Sequence, residues 1–254
     1  MVAFVEGTIE GRRRNGVVVA TRRQASNRLA QNDERLARPL FTLREAATYL
    51  AIPTSTLHEW SRGRAETGPL ITTFPAHGRQ ATMPFIGFAE AYVLSAFRRA
   101  GVPMQRIRPA IDKLVDGIGV DHALASRRLY TDGAEVLYDY AFAHDEGELL
   151  ELTVVRTGQR QFSELVRDYL ERIAYGRDGW ATRVRLPTYQ RAEVVVDPKR
   201  AFGLPLVVHG GARVEDLVDR FVAGDTVADI ADDFGVPEAE VEDVIRVVAR
   251  AAAA

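Results

Sequence analysis

A chain of 254 residues, 46% hydrophobic and 27% charged, has ordinary globular composition and length enough for two or three domains. It contains no cysteine, which excludes a disulfide scaffold, a thiolate metal site and a cysteine nucleophile, and no apolar run approaches a membrane span, so a cytoplasmic protein is expected. The net charge of −2 conceals a polarity: residues 1–128 hold 19 Lys+Arg against 11 Asp+Glu, residues 129–254 hold 14 against 24, so a basic half suited to a polyanion precedes an acidic half that repels one.

Residues 1–38, including "RRRNGVVVATRRQASNRLAQNDERLARP", are basic with few large apolar side chains. They read either as a mobile arm adding phosphate contacts or as the product of an upstream start-codon assignment. "RRRNGVVVA" imitates a secretion signal, but its apolar part is only four residues long.

"FTLREAATYLAIPTSTLHEWSRGR" (41–64) predicts two short helices around a tight turn. Thr42 and Glu45 have capping-box spacing. Leu43, Ala46, Ala47 and Leu50 then form one apolar stripe. Pro53 stops the first helix, Thr54, Ser55 or Thr56 caps the second, Leu57 and Trp60 face inward, and Gly63 ends it. The spacing fits a helix-turn-helix, whose second helix enters the major groove N-terminus first. The expected DNA-binding set is Arg44, Thr54, Ser55, Thr56, His58, Arg62 and Arg64, hydroxyls and imidazole for base edges or phosphates and arginines for phosphates. "PLITTFPAHGRQATMPF" (69–85) reads as a small hairpin or wing with Arg79 near its tip. Two helices follow. One spans about 88–100 and buries Phe88, Ala91, Tyr92 and Phe97. The other spans about 103–117 and buries Ile107, Ile111, Leu114 and Val115, with Arg98, Arg99, Arg106 and Arg108 at the junction. On "FTLREAATYLAIPTSTLHEW" and "FIGFAEAYVLSAFRRAGVPMQRIRPAI", residues 39–118 resemble MerR-like winged helix-turn-helix domains. That resemblance implies DNA binding as a dimer, without the sensing cysteines common among MerR regulators.

Residues 128–200 read as a small α+β domain. "RRLYTDGAEVLYDY" carries an Asp-Gly hairpin signal, "LLELTVV", "WATRVRLPTY" and "EVVVDP" are β-rich, and "QFSELVRDYLERIAY" is an amphipathic helix with Phe162, Leu165, Val166, Tyr169, Leu170 and Ile173 inward. No catalytic set is legible and no enzyme is expected. The five histidines show no paired metal spacing, "HDEGE" (144–148) reads as a solvated loop and "VVHGGARV" as a turn, so neither metal nor cofactor is expected.

Residues 201–254 form a second helical unit. Val214, Leu217, Val218 and Phe221 share a stripe. Thr226 caps a helix with Val227, Ile230, Ala231 and Phe234, and Gly235 ends it. Pro237 opens a third helix burying Val241, Val244, Ile245 and Val248. The shape is helix-turn-helix, but residues 214–243 hold 11 acidic residues and one basic residue, Arg220. With Glu238, Glu240, Glu242 and Asp243 expected on the groove-facing helix, DNA binding is opposed. The unit is expected to contact a partner or a second copy through Val214, Leu217, Phe221, Ile230, Phe234, Val241 and Ile245; an acidic cap on the middle domain is the alternative.

The whole order, with "DPKRAFGLP" followed by "VEDLVDRFVAGDTVADIADDFGVPEAEVEDVI", is similar to the VapB-type antitoxins over residues 39–248. Where that family commonly has "GTRV", this chain has "GGARV", Gly210 to Val214. The resemblance implies an antitoxin beside a PIN-domain ribonuclease toxin, neutralising it by direct binding and repressing the shared promoter as a homodimer on operator DNA. A stand-alone MerR-like regulator with a ligand-sensing or dimerising middle domain, and a protein-interaction adaptor with an inert first helical pair, are the competing readings. The expected fold class is α+β, mainly helical: a winged helix-turn-helix, a small α+β middle domain and a C-terminal three-helix unit.

Overall fold

The computed structural model describes residues 33–63, 68–76, 78, 80–100, 108, 111, 122–127, 129 and 166–252. Arg64 and Arg79, most of the 103–117 helix, the Asp-Gly hairpin, "LLELTVV", Phe162, Leu165 and residues 1–32 lie outside them. The described chain is α+β and mainly helical, as expected.

The described residues begin at Asp33, inside the segment read as an arm. Asp33 caps a one-turn helix, α1 (Glu34–Ala37), with its carboxylate on the Arg35 N–H at 3.0 Å, and Leu36 is buried. Strand β1 (Pro39–Phe41) leads into α2 (Leu43–Leu50), where the Thr42–Glu45 capping box is present in both directions. Ala51, left-handed at φ 50°, ends α2, and the Ile52 N–H returns to the Ala47 carbonyl at 3.0 Å. Pro53, at φ −60°, occupies the N-cap of α3 (Thr54–Arg62), so Thr54 is the first helical residue rather than the cap. Leu57 and Trp60 are buried, and Gly63 closes the helix at φ 71°.

The expected wing is a short two-stranded ribbon with a long irregular loop. Strand β2 (Met83–Pro84) pairs antiparallel with β1, Phe41 opposite Met83. Among the described residues of 69–82 there is no strand ladder; the Phe74 N–H donates to the Thr82 carbonyl at 2.7 Å. Proline at 69 and 75 interrupts the donors a ladder needs. Helix α4 (Phe85–Arg99) starts three residues before its predicted start, with Pro84 as N-cap, and its first thirteen residues are all buried. A helix buried on every side sits at the centre of a domain, and its one interior carboxylate, Glu90, accepts the Thr72 N–H at 2.6 Å and lies 2.9 Å from His122 Nδ1. The wing lies directly on it: a Cβ at Gly87 would stand 2.0 Å from the Thr72 carbonyl oxygen, so only glycine permits the approach.

Residues 166–170 are helical, but Ile173 belongs to a strand, not to the amphipathic helix expected there. β3 (Ile173–Tyr175), β4 (Ala181–Arg185), β5 (Val194–Val196) and β6 (Leu206–Val207) form an antiparallel meander in chain order. The turn at Gly176–Gly179 brings Ile173 opposite Val184, and that pairing ends the helix. β5 is wholly buried, as its unbroken "VVV" predicts. The "HGG" segment is a turn, as read; Gly210 stands at φ 67° with the Phe234 carbonyl oxygen 2.1 Å from a would-be Cβ.

Helices α5 (Val214–Ala223), α6 (Val227–Phe234) and α7 (Glu238–Ala252) make the C-terminal unit, with Gly224 and Gly235 as left-handed caps and Thr226 accepting from the Asp229 N–H at 3.2 Å. One apolar core runs from Leu36 to Val244. Polar ties reinforce it. The Arg35 guanidinium pairs with Asp33 and Asp178 and donates to the Ala181 carbonyl, so α1 is fastened to the sheet. Asp243 of α7, 2% exposed, accepts the backbone N–H groups of Gln190, Arg191 and Ala192 at 2.7, 2.8 and 3.2 Å. Among the described residues no helix is long and apolar enough to cross a membrane, and no three metal-ligating side chains cluster.

Candidate nucleic-acid interface

Helix α3 is held by its buried edge. Leu57 and Trp60 pack inward, so the opposite face is left to solvent. Ser55, His58, Glu59 and Arg62 are exposed there, Thr54 and Thr56 half-buried, and Arg44 is exposed on α2. No carboxylate stands in the first turn of α3, so its N-terminal partial positive charge is not offset locally. Hydroxyls and imidazole at the start of the helix and a cation at its end suit base edges and phosphates respectively. The structure therefore gathers Thr54, Ser55, Thr56, His58 and Arg62 on one element.

One further residue joins them. Arg98, at the end of α4, donates from Nη1 to the Thr56 hydroxyl at 2.5 Å and is itself exposed. The guanidinium lies 42 positions along the chain from the helix it abuts, and only the Arg98–Arg99 pair closing an apolar helix hinted at it. Arg99 has a different task. It donates to the Leu50 carbonyl at 3.1 Å and stacks over Tyr169 at 5.7 Å, completing the C-terminus of α2.

The second helical unit differs from expectation in one respect. Of the four carboxylates expected on the outer face of α7, two are interior. Asp243 serves the three backbone N–H groups above, and Glu240 is buried with its Oε1 2.6 Å from His209 Nδ1. Glu238 and Glu242 remain exposed, joined on α6 by Asp229, Asp232 and Asp233. Arg220 is taken up by Asp225 and Asp233. The exposed surface of α6 and the start of α7 is thus anionic, which opposes a phosphate backbone.

Of the residues expected to contact a partner, Val214, Leu217, Ile230 and Val241 are core side chains, and Phe234 and Ile245 are half-buried. The four core side chains form the unit's own interior and are not available as surface. Phe221 alone is exposed, at 42%, with Val222 beside it at 78%.

Three comparisons with known proteins bear on this arrangement. Residues 39–111 match a family described as "Putative DNA-binding HTH domain", and residues 194–246 match one described as "Protein of unknown function (DUF433)". The chain is 44% identical over 226 residues to "Putative antitoxin VapB45" of Mycobacterium tuberculosis, covering 83% of this chain and 94% of that protein. It is 27% identical over 220 residues to "Uncharacterized protein Rv2308" of the same organism, covering 83% and 90%. Its fold superposes on the crystal structure of Rv2018 from Mycobacterium tuberculosis with a TM-score of 0.71 at 45% identity, covering 83% of this chain and 99% of that one. The exposed helix of a helix-turn-helix, an acidic C-terminal unit and these relatives agree: the chain belongs to the VapB-type antitoxin family.

Proposed function

We propose that the chain is the antitoxin of a type II toxin–antitoxin pair, acting in the cytoplasm. As a homodimer it binds operator DNA in its own promoter through α3 and represses transcription. It neutralises a PIN-domain ribonuclease through its acidic C-terminal unit. The observation that carries the reading is the division of surface: α3 exposes hydroxyl, imidazole and arginine beside the one carboxylate of Glu59, while α6 and the start of α7 expose five carboxylates and α5 exposes Phe221. A single chain so divided has one face for a polyanion and one for a basic protein. Within the DNA face, Ser55 and His58 read bases, Arg62 and Arg98 hold phosphates, and Thr56 is positioned by Arg98; Arg44, Arg64 and Arg79 add phosphate contacts.

The test is co-expression with the neighbouring open reading frame and purification through a tag on this chain. The expected result is a co-eluting PIN-domain protein whose ribonuclease activity appears only when this chain is removed. Purification of this chain alone, with no effect of it on that ribonuclease, would leave a stand-alone regulator.

A further inference from the structure

We propose that Phe202 is the anchor of a self-association surface, an aromatic knob that enters, on a second copy of this chain, the groove between α2 and helices α5 and α7. The proposal deepens the homodimer reading above and rests on it.

The knob is built by an unusual turn. Ala201, Phe202 and Gly203 stand consecutively at φ 46°, 56° and 83°. Two of the three carry side chains in a conformation that L residues rarely adopt. The turn is braced from below: a Cβ at Gly203 would meet Leu40 Cδ1 at 2.7 Å, and the Gly203 and Leu204 N–H groups bond back to Arg200 and Ala201 at 2.8 and 3.0 Å. What the strain delivers is a phenyl ring 73% exposed, more than Phe221 or Phe74. Strained backbone that presents an exposed aromatic side chain is characteristic of a binding anchor. Around the ring is a cationic collar. The Arg38 guanidinium lies 5.9 Å from its centroid, and Lys199 and Arg200 are exposed just before it.

The groove has the opposite character. It encloses about 400 Å³, floored by Tyr49, Tyr189, Leu204, Val218 and Val248, with Glu45, Glu215 and Asp219 at its mouth. The Tyr49 hydroxyl is pushed up to about 12 by burial and by the Glu45 and Glu215 carboxylates, so both anions act on the interior of the groove. Val222, one turn beyond Val218, continues the apolar floor onto the surface.

A cationic aromatic knob and an anionic apolar groove on one chain are complementary to each other. Leu204, two residues after Phe202, lines the groove, so the two features are neighbours. That adjacency is what an isologous pair needs: a two-fold axis between them places each copy's Phe202 in the other's groove. Within one copy Phe202 packs beneath Arg38 and is not among the residues that line the groove.

Sedimentation of the full chain tests this. The wild type is expected to dimerise. At concentrations where the chain is monomeric, Phe202→Gly should raise the midpoint of thermal unfolding, because glycine accepts φ 56° freely, while at higher concentration it weakens the dimer about tenfold or more. Opposite signs on fold and dimer separate an interface role from a structural one. Arg200→Glu and Glu215→Arg should each weaken the dimer, and the double variant should recover it. A wild type monomeric at every concentration would overturn both the dimer reading and this surface. A dimeric wild type whose affinity Phe202→Gly leaves unchanged would overturn the surface alone. Loss of a co-purifying protein in Phe202→Gly with the dimer intact would also overturn it, and give the knob to that protein instead.

Discussion

Replacing Asp243 by alanine should detach α7 from the sheet. Its carboxylate is 2% exposed and accepts three backbone N–H groups in the turn between β4 and β5. A buried donor left without an acceptor costs about 1–3 kcal/mol. Ala192 is buried, so its N–H keeps nearly the whole penalty. Gln190 and Arg191 are exposed, so water can reach their N–H groups and the penalty there is smaller. The expected destabilisation is therefore about 3 kcal/mol, rather than three full penalties. Asn keeps one acceptor oxygen and should cost about 1 kcal/mol. Urea unfolding followed by far-ultraviolet circular dichroism measures both. Equal loss in the two variants, or less than about 1 kcal/mol for Asp243→Ala, would refute the account of Asp243 as a backbone anchor.

Three further outcomes are expected. Gly87→Ala should destabilise by about 2 kcal/mol, because the new methyl meets the Thr72 carbonyl; a helix-propensity gain, which the thermal midpoint would show as a rise, would mean the wing is free to move off α4. Arg35 holds the Asp33 and Asp178 carboxyls below their ordinary range through its hydrogen bonds, so their contribution is present above that range and lost as pH falls through the lowered folded values; Arg35→Ala should flatten the acid limb of a stability–pH profile, and an unchanged limb would remove the pair from acid stability. Arg62→Ala and Arg98→Ala should each weaken DNA binding across sequences and reduce the salt slope by about one, read by fluorescence anisotropy. Unchanged slopes would take both residues off the phosphates.

Local rules made much of the fold legible. The Thr42–Glu45 box, the Gly63 and Gly235 caps and the unbroken "VVV" strand each depend on neighbours in sequence, and each stands where it is expected. What depends on distant partners was not legible. Ile173 continues a helical period yet pairs with Val184 in a strand. Asp243 and Glu240 read as a solvated acidic face, and only the positions of residues 190–192 and His209 in space make them interior. The C-terminal apolar residues share helical stripes, but periodicity alone does not distinguish a face turned to a partner, as Phe221 is exposed to be, from one turned to the unit's own core, as Leu217 is. In the candidate site, α3 and its exposed side chains followed from spacing, whereas Arg98 came from the end of another helix. Phe202 had no signal beyond the "DPKRAFGLP" turn, because its exposure follows from backbone angles that composition does not reveal.

Operator reading by α3 is the part of the proposed function that most of the DNA face depends on. It is tested most directly by titrating the full chain onto its own upstream DNA, and onto scrambled DNA, between about 50 and 200 mM salt. The expected result is a preference for the upstream sequence at every salt concentration, with log affinity falling linearly in log salt by about 0.9 per phosphate contact, and loss of the preference in Ser55→Ala and His58→Ala. Equal affinity for both DNAs, or a preference that survives both substitutions, would contradict it.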